Sequence, residues 1–191
     1  MNDRFLDKYR IPSARLQNWD YGWNGIYFIT ICTEGRDNYF GKISNGVMEL
    51  SEIGIFAQQY WYKIAEHFPF VILDSFVVMP NHIHGILILD KHDDMENPHD
   101  FTVEKDFGSE VNLITPGQQR FRNQEKNSVS SIIGSYKSAV SNQAHRVKAN
   151  FGWQTRFYDH IVQSDREFKM VQQYIDDNPA NWGKDKYFGE D

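Results

Sequence analysis

The order of patterned segments predicts an α+β fold of ferredoxin-like plan, a mostly antiparallel sheet with helices packed on one face. Three observations carry this. Short β-branched or aromatic runs alternate with helical periods in the order strand, hairpin, helix, strand, strand, helix, short strand, helix. Two of the strand segments are separated only by Pro80-Asn81, which makes them an antiparallel pair. At 191 residues, with 40% hydrophobic and 15% aromatic side chains, the chain can bury a core without a disulfide or metal staple. It reads as a single domain over residues 1–191.

Residues 1–24 mix charges and aromatics and read as an N-terminal arm. Residues 25–33 (GIYFITICT) are β-branched and aromatic and form the strongest first strand. Residues 39–43 and 47–50 flank Ser44-Asn45-Gly46, which reads as a hairpin turn. Ser51 then precedes a helical pattern in which Ile53, Phe56, Tyr60 and Ile64 recur at spacings of three and four, to about residue 67. Residues 71–79 and 82–89 are the antiparallel strands. Residues 90–127 carry Pro, Gly and charge clusters without a period and read as a long acidic insertion. Residues 128–148 form a helix with Ile132, Ile133, Tyr136, Val140 and Ala144 on one side. Residues 156–162 are a short strand. Ser164 with Glu167 makes a capping box for a last helix that ends near Asn178, before Pro179.

Composition excludes several classes. No apolar run reaches the ~18–20 residues of a membrane span, and the N-terminus has no apolar signal region. Cys32 is the single cysteine, which rules out an internal disulfide and fits a reducing cytoplasm, the expected location. The formal net charge of −6 argues against nucleic acid as partner. Resolved along the chain, that argument weakens. Residues 90–110 hold 2 basic and 8 acidic side chains, a net of −6. Residues 118–156 hold Arg120, Arg122, Lys126, Lys137, Arg146, Lys148 and Arg156 against Glu125, a net of +6. That stretch is either a solvated helix face or a surface that tracks phosphates.

His82 and His84 are two apart in a strand, so both imidazoles share one face with Ile86 and Ile88, while Ile83, Gly85, Leu87 and Leu89 line the other. Both faces are apolar toward the C-terminal end, which predicts a central strand with two imidazoles exposed at its start. Such a pair either binds one metal ion or is a structural, hydrogen-bonded pair. Tyr174 and Asn178 lie one turn apart on the last helix, beside the apolar stripe Phe168, Val171 and Ile175. Their polar tips can reach a cleft, or serve as a rim tyrosine and a helix-ending amide.

Together these residues resemble a known group. Val78-Met79-Pro80-Asn81-His82-Ile83-His84-Gly85 resembles the His-hydrophobe-His signature of the HUH endonuclease superfamily. The segments Gly152-Trp153-Gln154, Tyr158-Asp159-His160 and Tyr174-Ile175-Asp176-Asp177-Asn178-Pro179 are similar to the C-terminal half of the REP-associated tyrosine transposases, single-tyrosine HUH (IS200-like) enzymes. The resemblance spans roughly residues 25–89 and 128–183. It implies that His82, His84 and Asn178 bind a divalent metal, Mg²⁺ or Mn²⁺, and that Tyr174 is the nucleophile. Asp159 and His160 would support the site from behind. It further implies cleavage and rejoining of hairpin-forming single-stranded DNA through a 5′-phosphotyrosine. The charge distribution would lay that DNA across the sheet and the basic segment, on Arg120, Arg122, Lys126, Lys137, Arg146, Lys148 and Arg156, with Trp153, Phe157 and Tyr158 either stacking platforms or core aromatics. The competing readings are a non-catalytic binder of single-stranded nucleic acid and a domesticated nickase acting on host repeats. Tyr136, Tyr158 and Tyr187 are rival nucleophiles without the amide partner. Both monomers and homodimers occur in the family, and no membrane partner is expected.

Overall fold

The computed structural model describes residues 21–91 and 127–188, so most of the N-terminal arm and nearly all of the acidic insertion lie outside the described residues. Among the described residues, β1 (Gly25–Cys32), β4 (Val71–Val78), β5 (His82–Leu89) and β6 (Tyr158–Val162) make one antiparallel sheet in the order β4-β5-β1-β6. The helices α1 (Glu52–Tyr62) and α2 (Ile64–His67) connect β1 to β4, and α3 (Val129–Val147) lies between β5 and β6. This is the expected ferredoxin-like α+β plan, with the β-branched first strand and the two-histidine strand at its centre. The hairpin β2 (Gly41–Ser44) and β3 (Val47–Leu50) stands apart from it. Its turn has φ of 52° at Asn45 and 75° at Gly46, the pair of positive values that matches the twist of the flanking strands.

The faces of the sheet are occupied differently. Tyr27, Ile29 and Ile31 of β1 and Ile83, Leu87 and Leu89 of β5 join the core with residues of α1 and α3. The buried stripe of α1 runs through Ile53, Ala57 and Trp61, and continues to Ile64 of α2. It therefore differs from the expected Phe56 and Tyr60 positions. The small residues explain the shift: a side chain at Gly54 would collide with the Phe40 carbonyl, and the Ala57 carbonyl accepts from Tyr136 Oη at 2.9 Å. Helix α1 thus approaches the Phe40 loop and α3 along its smallest residues. The helix breaks at Lys63.

The last helix, α4 (Asp165–Asp177), does not join that layer. It crosses the opposite face, where Gln172 Nε2 donates to Asp74 Oδ1 of β4 at 2.7 Å and the Tyr174 ring meets Phe28 of β1 edge-on at 6.0 Å. The one-face expectation thus holds for α1 and α3 and is corrected for α4. The reason is that the even-numbered residues of β1 and β5 need their own cover, and Ile175, fully buried, provides it. Ser164 caps α4 through the Glu167 N–H as expected, but the Glu167 carboxylate reaches one residue further back, to the Gln163 N–H at 2.7 Å. No helix among the described residues is long and apolar enough to cross a membrane.

At Gly85 strand β5 and helix α1 come into close approach. A methyl group there would run into the Trp61 indole, which is itself stacked on Phe76 with ring centroids 4.6 Å apart. Gly85→Ala is expected to cost about 1–3 kcal/mol in urea denaturation, the range for overpacking a close-packed core. An unchanged midpoint would show that Trp61 yields freely.

Candidate active site

The site is built at the start of β5, where the strand emerges from the Pro80-Asn81 turn. His82 and His84 share a face, as alternation requires, but they are not exposed. Their relative exposures are 0% and 1%. They are covered by Tyr174 from α4, whose ring centroid lies 5.2 Å from that of His84, and by Tyr187, 4.6 Å from His82. The two Nε2 atoms stand 3.0 Å apart.

What surrounds the rings fixes where their protons sit. The Asn81 side chain is oriented by its own donations, from Nδ2 to the carbonyls of Arg36 at 3.1 Å and Tyr187 at 2.9 Å. Its Oδ1 therefore faces His82 Nδ1 at 2.9 Å and accepts its proton, leaving His82 Nε2 with a lone pair. His84 Nδ1 pairs with Thr30 Oγ1 at 2.8 Å across the β1–β5 ladder. Burial, aided by Lys186 near both rings and Arg36 near His82, drives both imidazoles far below their usual pKa range. They are neutral at physiological pH. With the Thr30-facing proton on His84 Nδ1, two lone pairs converge on one point, an arrangement that a cation relieves.

The donor set continues beyond the imidazoles. His82, His84 and Asp185 offer ligand atoms that all lie within 4.8 Å of one another, a cluster that could hold a metal ion. Asn178, 3% exposed at the end of α4, has a buried Oδ1 without a hydrogen-bond partner. A buried amide oxygen without a donor is costly unless something electropositive meets it. Neutral imidazoles, an orphaned amide oxygen and a carboxylate fit a divalent cation with mixed nitrogen and oxygen ligands.

Tyr174 Oη lies 3.2 Å from His84 Nε2, while the residue is 41% exposed. Burial and Asp185 push its phenol up, and a hydrogen bond from Asn178 and the Lys186 charge pull it down, leaving it raised. Tyr187 is pushed up to about 12, chiefly by burial, and its ring is wedged between His82 and the cations of Arg36 and Lys186.

The remaining candidates are dispersed. Asp159 pairs with Ile29 and is buried on the α1/α3 face, away from the histidines. His160 is on the histidine face but is engaged at 2.6 Å by Glu167 near the start of α4. Lys137 and Arg146 belong to α3, and Lys148 is its C-cap, so these cations lie with the helix layer behind the sheet. Lys137 is further tied to the Gln154 carbonyl, and Lys148 sits over the Tyr39 ring. Trp153 is half-buried and packed against the core among Phe40, Tyr136 and Phe151, with its indole N–H on Lys137 O and Ser141 Oγ. Arg156 is exposed. Arg120, Arg122 and Lys126 lie outside the described residues. The sequence reading missed Asp185, Asn81, Thr30 and the position of Tyr187 over His82. Only Asn81 carried a signal, as the residue joining the turn to the first histidine.

Two consequences are measurable. His82→Ala with His84→Ala is expected to abolish Mn²⁺ binding in calorimetric titration. Asn81→Leu, which removes the group holding His82 in its tautomer, is expected to weaken it by roughly 10–100-fold. Undiminished Mn²⁺ affinity in either protein would contradict the convergence of donors at this point.

No protein-family model matches the chain. Its relatives include an uncharacterized protein of Haemophilus influenzae, 33% identical over 178 residues, covering 92% of each chain. A second protein of that organism, named as a REP-associated tyrosine transposase, is 23% identical over 164 residues, covering 86% of this chain and 75% of the other. A solved REP-associated tyrosine transposase bound to a REP hairpin superposes with a TM-score of 0.51 at 18% identity, over 85% of this chain and 71% of the other, and shares its fold. Strand order, the paired histidines facing a helix-borne tyrosine, and these relatives agree: the chain is of one family with the first Haemophilus influenzae protein and is similar in sequence and fold to REP-associated tyrosine transposases.

Proposed function

We propose that this protein is a single-tyrosine strand transferase of the HUH type, which cleaves and rejoins single-stranded DNA presented as a hairpin, in a metal-dependent reaction. The observation that carries the reading is the approach of Tyr174 Oη to His84 Nε2 at 3.2 Å, on a tyrosine still open to solvent. A buried tyrosine could not receive a strand, and one remote from the donors would have no means of activation. The solved relative bound to a REP hairpin supports the choice of substrate.

In this reaction Tyr174 Oη attacks the scissile phosphorus. The Oη–P bond forms as the P–O3′ bond breaks, the phenol loses its proton, and the departing 3′ oxygen gains one. The product is a 5′-phosphotyrosine and a free 3′-hydroxyl. Attack by another 3′-hydroxyl reverses the chemistry and rejoins a strand, and because one phosphodiester replaces another, no ATP is required. His82, His84 and Asn178, with Asp185 nearby, would hold Mg²⁺ or Mn²⁺, which when bound polarises the phosphoryl group and favours the phenolate. The Asn178 amide also donates toward the tyrosine oxygen, stabilising its anion. Phe28 fixes the ring by edge contact at 6.0 Å. Asn81 and Thr30 hold the imidazoles in place from behind.

Incubation with an end-labelled single-stranded hairpin and Mn²⁺ is expected to yield a covalent DNA–protein adduct. Tyr174→Phe should reduce it on the order of 10³-fold or more, as should chelation of the metal. An adduct that persists in Tyr174→Phe removes the nucleophile assignment. A hairpin bound but never cleaved would favour a non-catalytic binder.

A further inference from the structure

A cavity of about 710 Å³ lies beside Tyr174, between the outer stripe of α4 and the 3₁₀ turn Trp182–Lys184. We propose that this groove is a binding site for the unpaired nucleotides that flank the scissile phosphate. The proposal rests on the strand-transfer reading above and extends it, because it assigns a path to the strand once it leaves the reacting centre.

Position comes first. On its inner side Tyr174 is closed off by His84 and Phe28. Its open side is a wall of this groove. A phosphate within reach of Tyr174 Oη therefore has its neighbouring nucleotides in this space. Lining chemistry comes second. Arg166, Lys169, Met170 and Gln173 recur at helical spacing along one stripe of α4 leading to Tyr174, and Lys184 stands on the facing wall. All three cations are exposed and none is in an ion pair found among the described residues. The two acidic residues of the lining have other partners: Asp177 accepts from Gln173 Nε2 at 2.7 Å, and Asp185 accepts from the Tyr187 N–H at 2.6 Å and lies within ligand distance of the two histidines. Met170, 63% exposed, sits one turn from both Arg166 and Tyr174 and offers a flat, polarisable face to a base. Cations that track a backbone, interleaved with apolar platforms for bases, are what single-stranded nucleic acid requires. The net negative charge of the C-terminal segment conceals this stripe, because the other acidic residues of α4 lie off it.

The test measures binding in the presence of chelator, so that no strand is cut. Fluorescence anisotropy compares a bare hairpin with the same hairpin carrying a short unpaired DNA tail, on wild-type protein and on Arg166→Ala/Lys169→Ala/Lys184→Ala. The tail should tighten binding to wild type, and the triple variant should lose most of that gain while binding the bare hairpin as before. For three phosphate contacts to a single strand, the slope of log K against log salt should fall by about 2. Unchanged affinity and slope on the tailed hairpin would overturn the proposal, as would an equal loss on both ligands. If the covalent adduct never forms but the tail still depends on these cations, the groove stands and the transferase reading falls.

Discussion

Two imidazole nitrogens held 3.0 Å apart in the dry interior impose the constraint around which the site is arranged. Burial keeps both rings uncharged, so the pair cannot be stabilised as a salt bridge to Asp185. Each outward nitrogen is met by a side chain, Asn81 on one ring and Thr30 on the other, which leaves the inward nitrogens facing each other. An apolar pair of residues would be far easier to bury in a central strand. Neutral imidazoles bound from behind and converging in front make sense as donors waiting for a cation, and the orphaned Asn178 oxygen belongs to the same pattern.

The sheet separates stability from chemistry. On one face, α1 and α3 close over Tyr27, Ile29, Ile31, Ile83 and Leu87, with Gly85 admitting the Trp61 indole, and the result is a close-packed layer. On the other face, among the described residues, α4 and the segment after it cover β1 and β5, and a cavity remains beside the tyrosine. A rigid strand therefore carries the histidines, while Tyr174, the proposed nucleophile, sits on a single helix anchored by Ile175 and the Gln172–Asp74 hydrogen bond. This division explains why Asp159 and His160, adjacent in sequence, have unrelated environments. Alternation places one in the packed layer and the other beside α4.

Much of this was legible in local patterns. Period-two alternation placed His82 and His84 on one face, helical spacing placed Tyr174 and Asn178 one turn apart, and Asn45-Gly46 marked its hairpin. What was not legible depends on which surfaces meet. Nothing in the Ile53, Phe56, Tyr60 stripe indicates that Gly54 and Ala57 form the approach edge, because that follows from the Phe40 carbonyl and Tyr136 hydroxyl opposite. The face chosen by α4 was hidden for the same reason. Asp185 and Tyr187 come from an irregular segment whose return over His82 has no periodicity to reveal it. Charge was legible unevenly: the basic run near α3 is conspicuous in sequence, and its members Lys137, Arg146 and Lys148 lie with the helix layer, whereas the cations beside Tyr174 are interleaved with acidic residues.

Tyr174 and Tyr187 both flank the histidine pair, and only one of them can carry the strand. Tyr187 is packed under Arg36 and Lys186 with its phenol pushed up to about 12, while Tyr174, raised as well by burial, is open to solvent with its Oη 3.2 Å from His84 Nε2. The most direct measurement is to digest the covalent complex formed on a hairpin substrate and identify the nucleotide-bearing residue by mass spectrometry. The nucleotide is expected on Tyr174, linked through a 5′-phosphate. Its recovery on Tyr187 or Tyr158, or a linkage through a 3′-phosphate, would contradict the assignment.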